Sequence, residues 1–176
     1  TGFVTADFDL WPSLTKTLLV ILMIIGGCAG STGGGFKVSR VMMMMKNAVR
    51  DIRRTVHPRK VEVVRMDGKS VPENVLAQMG GFVCLYVLLE IGGALVLSLD
   101  GFNMTEAFTG ALTCISNVGP AFGELGPTKN FSGLSPVAKM VCSFLMLAGR
   151  LEIFPMLLLF APSVWLRPGG VKSKRV

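Results

Sequence analysis

Charge is scarce in this sequence. Asp, Glu, Lys and Arg make up 16% of the 176 residues, against about 25% in ordinary soluble domains. Hydrophobic residues make up 51%, and the chain contains 21 glycines in addition. The high apolar content excludes a disordered chain and argues against a typical cytosolic enzyme. The composition therefore predicts a membrane protein.

Cysteine and histidine are also rare, and they are not arranged as ligands. The four cysteines lie far apart inside apolar stretches, and the one histidine is His57. The sequence has no CxxC pair and no Ser/His/Asp or Cys/His constellation, which argues against a disulfide framework, a zinc site and a catalytic centre. We therefore expect a protein that is not an enzyme and that holds no cofactor of its own.

An initiator methionine and a secretory signal are missing as well, because the chain opens at Thr1-Gly2-Phe3. We expect the sequence to belong to a longer protein.

The net charge of +7 is distributed in two basic blocks. Ten of the 18 Lys and Arg residues lie between Lys37 and Lys69, and four more lie between Arg167 and Arg175. Basic blocks beside long apolar segments are typical of the cytoplasmic side of membrane proteins. The blocks contain no interleaved aromatic residues, so a nucleic-acid partner is disfavoured. We expect the lipid membrane to be the partner and the C-terminus to be cytoplasmic.

The first part of the chain, residues 1–50, contains a broken apolar span. Residues 13–25 are apolar but make only about 20 Å of helix, which is too short to cross the roughly 30 Å hydrocarbon core. A glycine-rich run follows at 26–35, and the apolar pattern resumes over 36–49. Irregular backbone at membrane depth is tolerated only where protein or a water-filled cavity surrounds it. The glycine run is therefore a candidate functional segment.

Three further parts follow. A basic cytoplasmic loop covers 51–72, with a short strand or an extended piece expected at 61–64. Residues 73–166 contain a span at 75–99, a helix at 104–116 that is too short to cross a bilayer, and a span at 136–165. A cytoplasmic tail covers 167–176. The short helix and the glycine-containing loop after it have the lengths of a re-entrant segment, although an ordinary surface turn fits the spacing equally well.

Arg150 lies in the middle of the last apolar span. An arginine there costs at least about 2.5–3.5 kcal/mol on insertion scales, so we expect it to face protein or water. The segment before it, Leu145–Gly149, resembles Leu22–Gly26, and this weak internal repeat places Arg150 level with the glycine run. A salt bridge, for instance with Glu90 or with a residue of the longer protein, is the structural alternative. Glu152 is a poor partner because positions i and i+2 on a helix face apart.

Five segments occur in order along the chain: Thr1-Gly2-Phe3, the run at 26–35, Val56-His57-Pro58-Arg59, Ser116-Asn117-Val118-Gly119-Pro120 and Gly149-Arg150-Leu151-Glu152-Ile153-Phe154. Together they resemble the TrkH family of potassium-uptake proteins, within the TrkH/TrkG/KtrB/HKT group. The resemblance implies an all-α integral membrane fold of potassium-channel-like repeats, each with a span, a pore helix, a filter and a span. This chain would hold the end of repeat three and the whole of repeat four.

The resemblance also assigns roles to particular residues. The backbone carbonyls of the filter would bind potassium, the transported ion, at Thr1, Gly2, Asn117, Val118 and Gly119. The gate would consist of an intramembrane loop and an arginine below the filter. The arginine would be Arg150, and the loop glycines would be Gly26, Gly27, Gly30, Gly33, Gly34 and Gly35. The longer TVGYG signature of potassium channels is absent.

The resemblance further implies a homodimer in the bacterial cytoplasmic (inner) membrane, controlled by a cytosolic TrkA-type ring. Any nucleotide would bind to that separate regulatory subunit.

Two other functions remain open from the residues alone. A membrane-embedded scaffold or regulatory subunit without transport activity would use its glycines only for close helix packing. A phosphate-binding loop at Gly30–Lys37 is the weaker alternative. There Phe36 separates Lys37 from the preceding glycine, and Val38 stands where the motif needs Ser or Thr.

Overall fold

The computed structural model describes residues 2–151, except 29, 32, 58, 60 and 61. Three predicted features lie outside the described residues: the filter position Thr1, the end of the last span with Glu152, and the tail at 167–176.

The described part of the chain is helical apart from one short hairpin. Its helices are α1 (Ser13–Ile25), α2 (Val38–Val56), α3 (Glu73–Leu99), α4 (Met104–Ser116) and α5 (Pro136–Arg150), and its strands are β1 (Arg65–Met66) and β2 (Lys69–Ser70). Single 3-10 turns occur at Phe8–Leu10, Gly123–Leu125 and Phe131–Gly133. The helices at 13–25 and 104–116 have the predicted bounds.

Helix α4 lies at the centre of the core, between α3 and α5. Nine of its thirteen residues are buried, so it is covered by protein on nearly all sides. Close packing depends on glycine at two positions. A Cβ atom added to Gly93 in α3 would lie 2.5 Å from Leu145 Cδ1, and one added to Gly110 in α4 would lie 2.7 Å from Leu125 Cδ1. A short buried helix of this kind matches the predicted re-entrant segment better than a surface turn.

Helix α3 is the one helix in the described ranges that is long and apolar enough to cross a membrane. It has 27 residues, and α1 is a shorter apolar helix of thirteen. Glu90 lies in α3 and is only 5% exposed. Neither of its carboxylate oxygens has a hydrogen-bond partner among the described residues.

The segment that leaves α1 and the segment that enters α2 lie close together. The amide of Phe36 donates to the carbonyl of Ile24, and the amide of Val38 donates to the carbonyl of Gly27. Where these two segments approach each other, Gly26 and Gly35 both have positive φ, and a Cβ added to Gly35 would lie 3.1 Å from the Cα of Gly26. Glycine is required here because another residue would be strained and crowded. Residues 27–34 thus form a loop whose two ends lie side by side, and we call it the glycine loop.

The basic segment after α2 contains a short hairpin. Its strands lie at Arg65–Met66 and Lys69–Ser70, so residues 62–64 precede the first strand and the extended-piece alternative applies to them rather than the strand. Asp67 and Gly68 form the turn between them, and both have positive φ. An Asp-Gly pair between two short strands is a strong hairpin signal.

Candidate functional site

The site is built at the C-terminal end of α4. Asn117 adopts the left-handed conformation that commonly ends a helix, and the chain then turns back against the last helical turn. The amide of Val118 donates to the carbonyl of Thr113 at 3.1 Å. The amide of Gly119 donates to the hydroxyl of the same threonine at 2.9 Å. Thr113 therefore fixes the direction of the segment 117–119.

The carbonyl groups of this segment differ from its amides in their hydrogen bonding. The amides of residues 117–119 all donate to α4. By contrast, the three carbonyl oxygens accept no hydrogen bond from the described part of the chain. Carbonyls left open in this way are the groups that replace the hydration shell of a monovalent cation. The negative end of the α4 dipole lies at the same place and favours positive charge.

Gly2 and Gly119, which the family resemblance would assign to two different filter strands, lie against each other. A Cβ added to Gly119 would lie 2.9 Å from the Cα of Gly2, and both residues have positive φ. The segments that follow also dock together. The amide of Gly123 donates to Asp9 Oδ2 at 2.7 Å, and the Phe8 and Phe122 rings are 5.2 Å apart.

The glycine loop contacts the same helix end from one side. The amide of Gly34 donates to the carbonyl of Ser116, the last residue of α4, at 3.1 Å. A Cβ added to Gly34 would lie 2.6 Å from the Ile115 carbonyl oxygen and 2.9 Å from Asn117 Nδ2. Any side chain at position 34 would therefore push the loop away from α4.

Helix α5 contacts this end of α4 through Gly149. A Cβ added there would overlap the Ile115 carbonyl oxygen and would lie 2.9 Å from Asn117 Nδ2. The Asn117 amide also donates to the carbonyl of Met146, one turn earlier in α5, at 3.2 Å. Gly34 and Gly149 thus approach the same two groups.

Arg150 follows Gly149 directly and is exposed in the described chain. The residue before it, Gly149, approaches the same Ile115 carbonyl as Gly34 of the glycine loop. The alternative partner Glu90 makes no hydrogen bond with it, since both Glu90 oxygens lack partners in the described ranges.

The loop after the segment 117–119 carries a paired charge. Lys129 Nζ donates to the carboxylate of Glu124, and this hydrogen bond raises the pKa of Lys129 above its usual value. Lys129 therefore offsets much of the negative charge of Glu124. No cluster of three acidic, histidine or cysteine side chains suited to a metal ion occurs among the described residues.

A phosphate-binding loop does not fit the geometry. The glycine loop follows a helix, α1, rather than a strand. The amides of Gly34, Phe36 and Val38 already donate to Ser116, Ile24 and Gly27, so they do not form a cradle for phosphate.

Comparison with known proteins agrees with the fold. A model of the TrkH family, described as cation transport protein, matches residues 1–166. The chain belongs to the TrkH family. It is therefore a helical membrane protein of the transporter type.

Curated relatives and a solved structure carry the family name. The Trk system potassium uptake proteins TrkH and TrkG of Escherichia coli K12 are 38% and 34% identical to this chain, each over 93% of it. The crystal structure of the potassium transporter TrkH from Vibrio parahaemolyticus matches with a TM-score of 0.82 and 38% identity, over 93% of this chain and 35% of that one. The chain spans about a third of the length of these TrkH-family relatives.

Two contacts of this TrkH-family site were missed by reading the sequence alone. The sequence singled out Arg150 but not Gly149, and it included Ser116 only as part of a motif. Gly149 packs against the carbonyl of Ile115 in α4, and the carbonyl of Ser116 accepts the amide of Gly34. The contact of Gly149 could have been suspected from the sequence, because a small residue in an apolar span often marks the place where two helices approach closely.

We predict that Gly149→Ala destabilises the full-length protein, because the added methyl overlaps the Ile115 carbonyl. Overpacking of this kind costs about 1–3 kcal/mol. The apparent melting temperature of the detergent-solubilised protein should fall. Gly92→Ala in α3 is the matched control, because a Cβ there meets nothing within 4 Å. Its melting temperature should stay the same or rise, since alanine favours a helix over glycine. Equal melting temperatures for the two variants would contradict the packing described here.

Proposed function

We propose that this chain supplies part of a potassium-uptake pore in the bacterial inner membrane. The observation that carries the proposal is the set of open carbonyls at 117–119, held at the end of a buried helix and placed against Gly2. A monovalent cation would lose part of its hydration shell at these oxygens and regain the lost interactions from them. Asn117, Val118, Gly119 and Gly2 would provide the filter positions of the described chain, and Thr1 would extend the Gly2 strand.

The glycine loop would be the gate beneath this filter. It rests on the carbonyl of Ser116, which directly precedes the filter segment, so the loop lies next to the ion path. Glycines at 26, 27, 30, 33, 34 and 35 allow backbone conformations that other residues rarely adopt. Such a loop can move between a blocking and an open position without straining side chains.

Arg150 would act with the loop. A fixed positive charge next to the filter repels a resident cation. The guanidinium group also carries five hydrogen-bond donors, which suit the carbonyls of a glycine-rich loop. In the closed state these two effects would act together.

The assembly would extend beyond this chain. The chain provides at most two of four filter strands, so it would conduct only within the complete protein. We propose that the complete protein is a homodimer with its basic segments on the cytoplasmic side. Control would come from a cytosolic TrkA-type ring that binds nucleotide, with the 51–72 loop and the tail as contact surfaces.

The filter is tested by Gly119→Ala in the full-length protein reconstituted in liposomes. The methyl would stand 2.9 Å from the Gly2 backbone at a φ of 120°, so we expect rubidium uptake to fall by about tenfold or more. Gly133→Ala is the control, since a Cβ there meets nothing within 4 Å. Normal, potassium-competed uptake by Gly119→Ala would remove this segment from the ion path.

A folded wild-type protein that takes up no rubidium, even with its regulatory ring and nucleotide, would favour the scaffold alternative.

The gate is tested by Arg150→Ala in the same assay. Loss of the positive charge should raise potassium-competed rubidium uptake. Lys139→Ala removes a charge from the outer end of the same helix, where Lys139 Nζ donates to the carbonyl of Ser132, and it should leave uptake unchanged. Equal uptake by wild-type and Arg150→Ala proteins would limit Arg150 to a structural role.

A further inference from the structure

Tyr86 is the single tyrosine of the chain and lies in α3, facing the C-terminal end of α4. It is 3% exposed, and its hydroxyl shares a 2.9 Å hydrogen bond with Ser116 Oγ. The bond is buried, so water does not compete for either group. A phenylalanine would fill the same space, and the hydroxyl is therefore the part of Tyr86 that requires an explanation.

Ser116 connects Tyr86 to the glycine loop. Its side chain bonds to Tyr86, and its backbone carbonyl accepts the amide of Gly34 at 3.1 Å. Gly34 lies near the C-terminal end of the loop, and Asn117, the first residue of the filter segment, follows Ser116. One buried hydrogen bond from α3 thus holds the residue on which the loop rests.

The aromatic ring of Tyr86 reaches the loop by a second route. Phe36 follows the glycine loop, and its ring centroid lies 4.4 Å from that of Tyr86. Phe82, one turn earlier in α3, lies 6.0 Å from Phe36 and completes a cluster of three rings. The guanidinium carbon of Arg40 in α2 lies 4.5 Å from the Phe82 ring centroid. The C-terminal end of the loop is therefore anchored to α3.

We propose that Tyr86 is a positioning residue that holds the glycine loop in its resting place, through Ser116 beside the filter and through Phe36 at the end of the loop. The inference rests on the proposed role of the loop as a gate. Movement of Gly34 away from α4 breaks its bond to Ser116. The Tyr86 hydroxyl opposes this movement because it fixes Ser116 in the orientation that Gly34 requires.

The test is basal rubidium uptake by the full-length protein in liposomes without its regulatory partner. Tyr86→Phe keeps the ring and removes the hydroxyl, and Ser116→Ala removes the same bond from the other side. Each should raise basal uptake by about two- to tenfold, the range expected from loss of one hydrogen bond. The double variant should exceed neither single variant, because both remove one interaction. Ser143→Ala is the control, since that hydroxyl donates to the carbonyl of Lys139 within its own helix.

The outcomes separate this inference from the proposed function. Absence of uptake by folded wild-type protein with its activating partner would overturn the proposed function itself. Normal wild-type uptake with unchanged basal uptake in both single variants would overturn only the role of Tyr86. A lower melting temperature with lower uptake would mean that the hydroxyl serves stability alone and would also overturn it. If Tyr86→Phe does not fold, Ser116→Ala tests the same bond.

Discussion

The end of a buried helix is the constraint on which the rest of this structure depends. The last four carbonyls of any α-helix have no partner within the helix, and α4 ends inside protein, where such groups require partners. Thr113 and Cys114 receive the amides of Val118 and Asn117, which folds the segment 117–119 back against α4. Ser116 receives the amide of Gly34. The segment 117–119 and the glycine loop are therefore held by neighbouring carbonyls of one helical turn.

Small residues make this arrangement sterically possible. Gly34 and Gly149 approach the Ile115 carbonyl from the loop and from α5, and a Cβ at either position would collide with it. Asn117 lies between them and bonds to Met146. Because the glycine loop, the segment 117–119 and α5 share these contacts, displacement of one element changes the surroundings of the other two. In the proposed pore, the position of the glycine loop and the geometry of the segment 117–119 would therefore be linked through α4.

Sequence reasoning succeeded where local signals are strong. Helix α1 begins after Pro12 and ends at Gly26, and α4 begins after Asn103 and ends at Asn117, so both were predicted with correct bounds. Helix α2 continues to Val56, beyond the predicted residue 49, because its polar residues are good helix formers although they end the apolar pattern. The contacts of Gly149 with Ile115 and of Tyr86 with Ser116 join residues about 30 positions apart. No local pattern encodes such pairs, and only the folded chain reveals them.

The central claim is that a cation binds at the carbonyls of residues 117–119, next to the Ser116 carbonyl that accepts the amide of Gly34. Diffraction from crystals of the full-length protein in thallium, whose ion substitutes for potassium and scatters anomalously, tests it most directly. The account predicts an anomalous peak within coordination distance of these carbonyls and of the Gly2 strand. Well-ordered filter residues with thallium bound only elsewhere would contradict it.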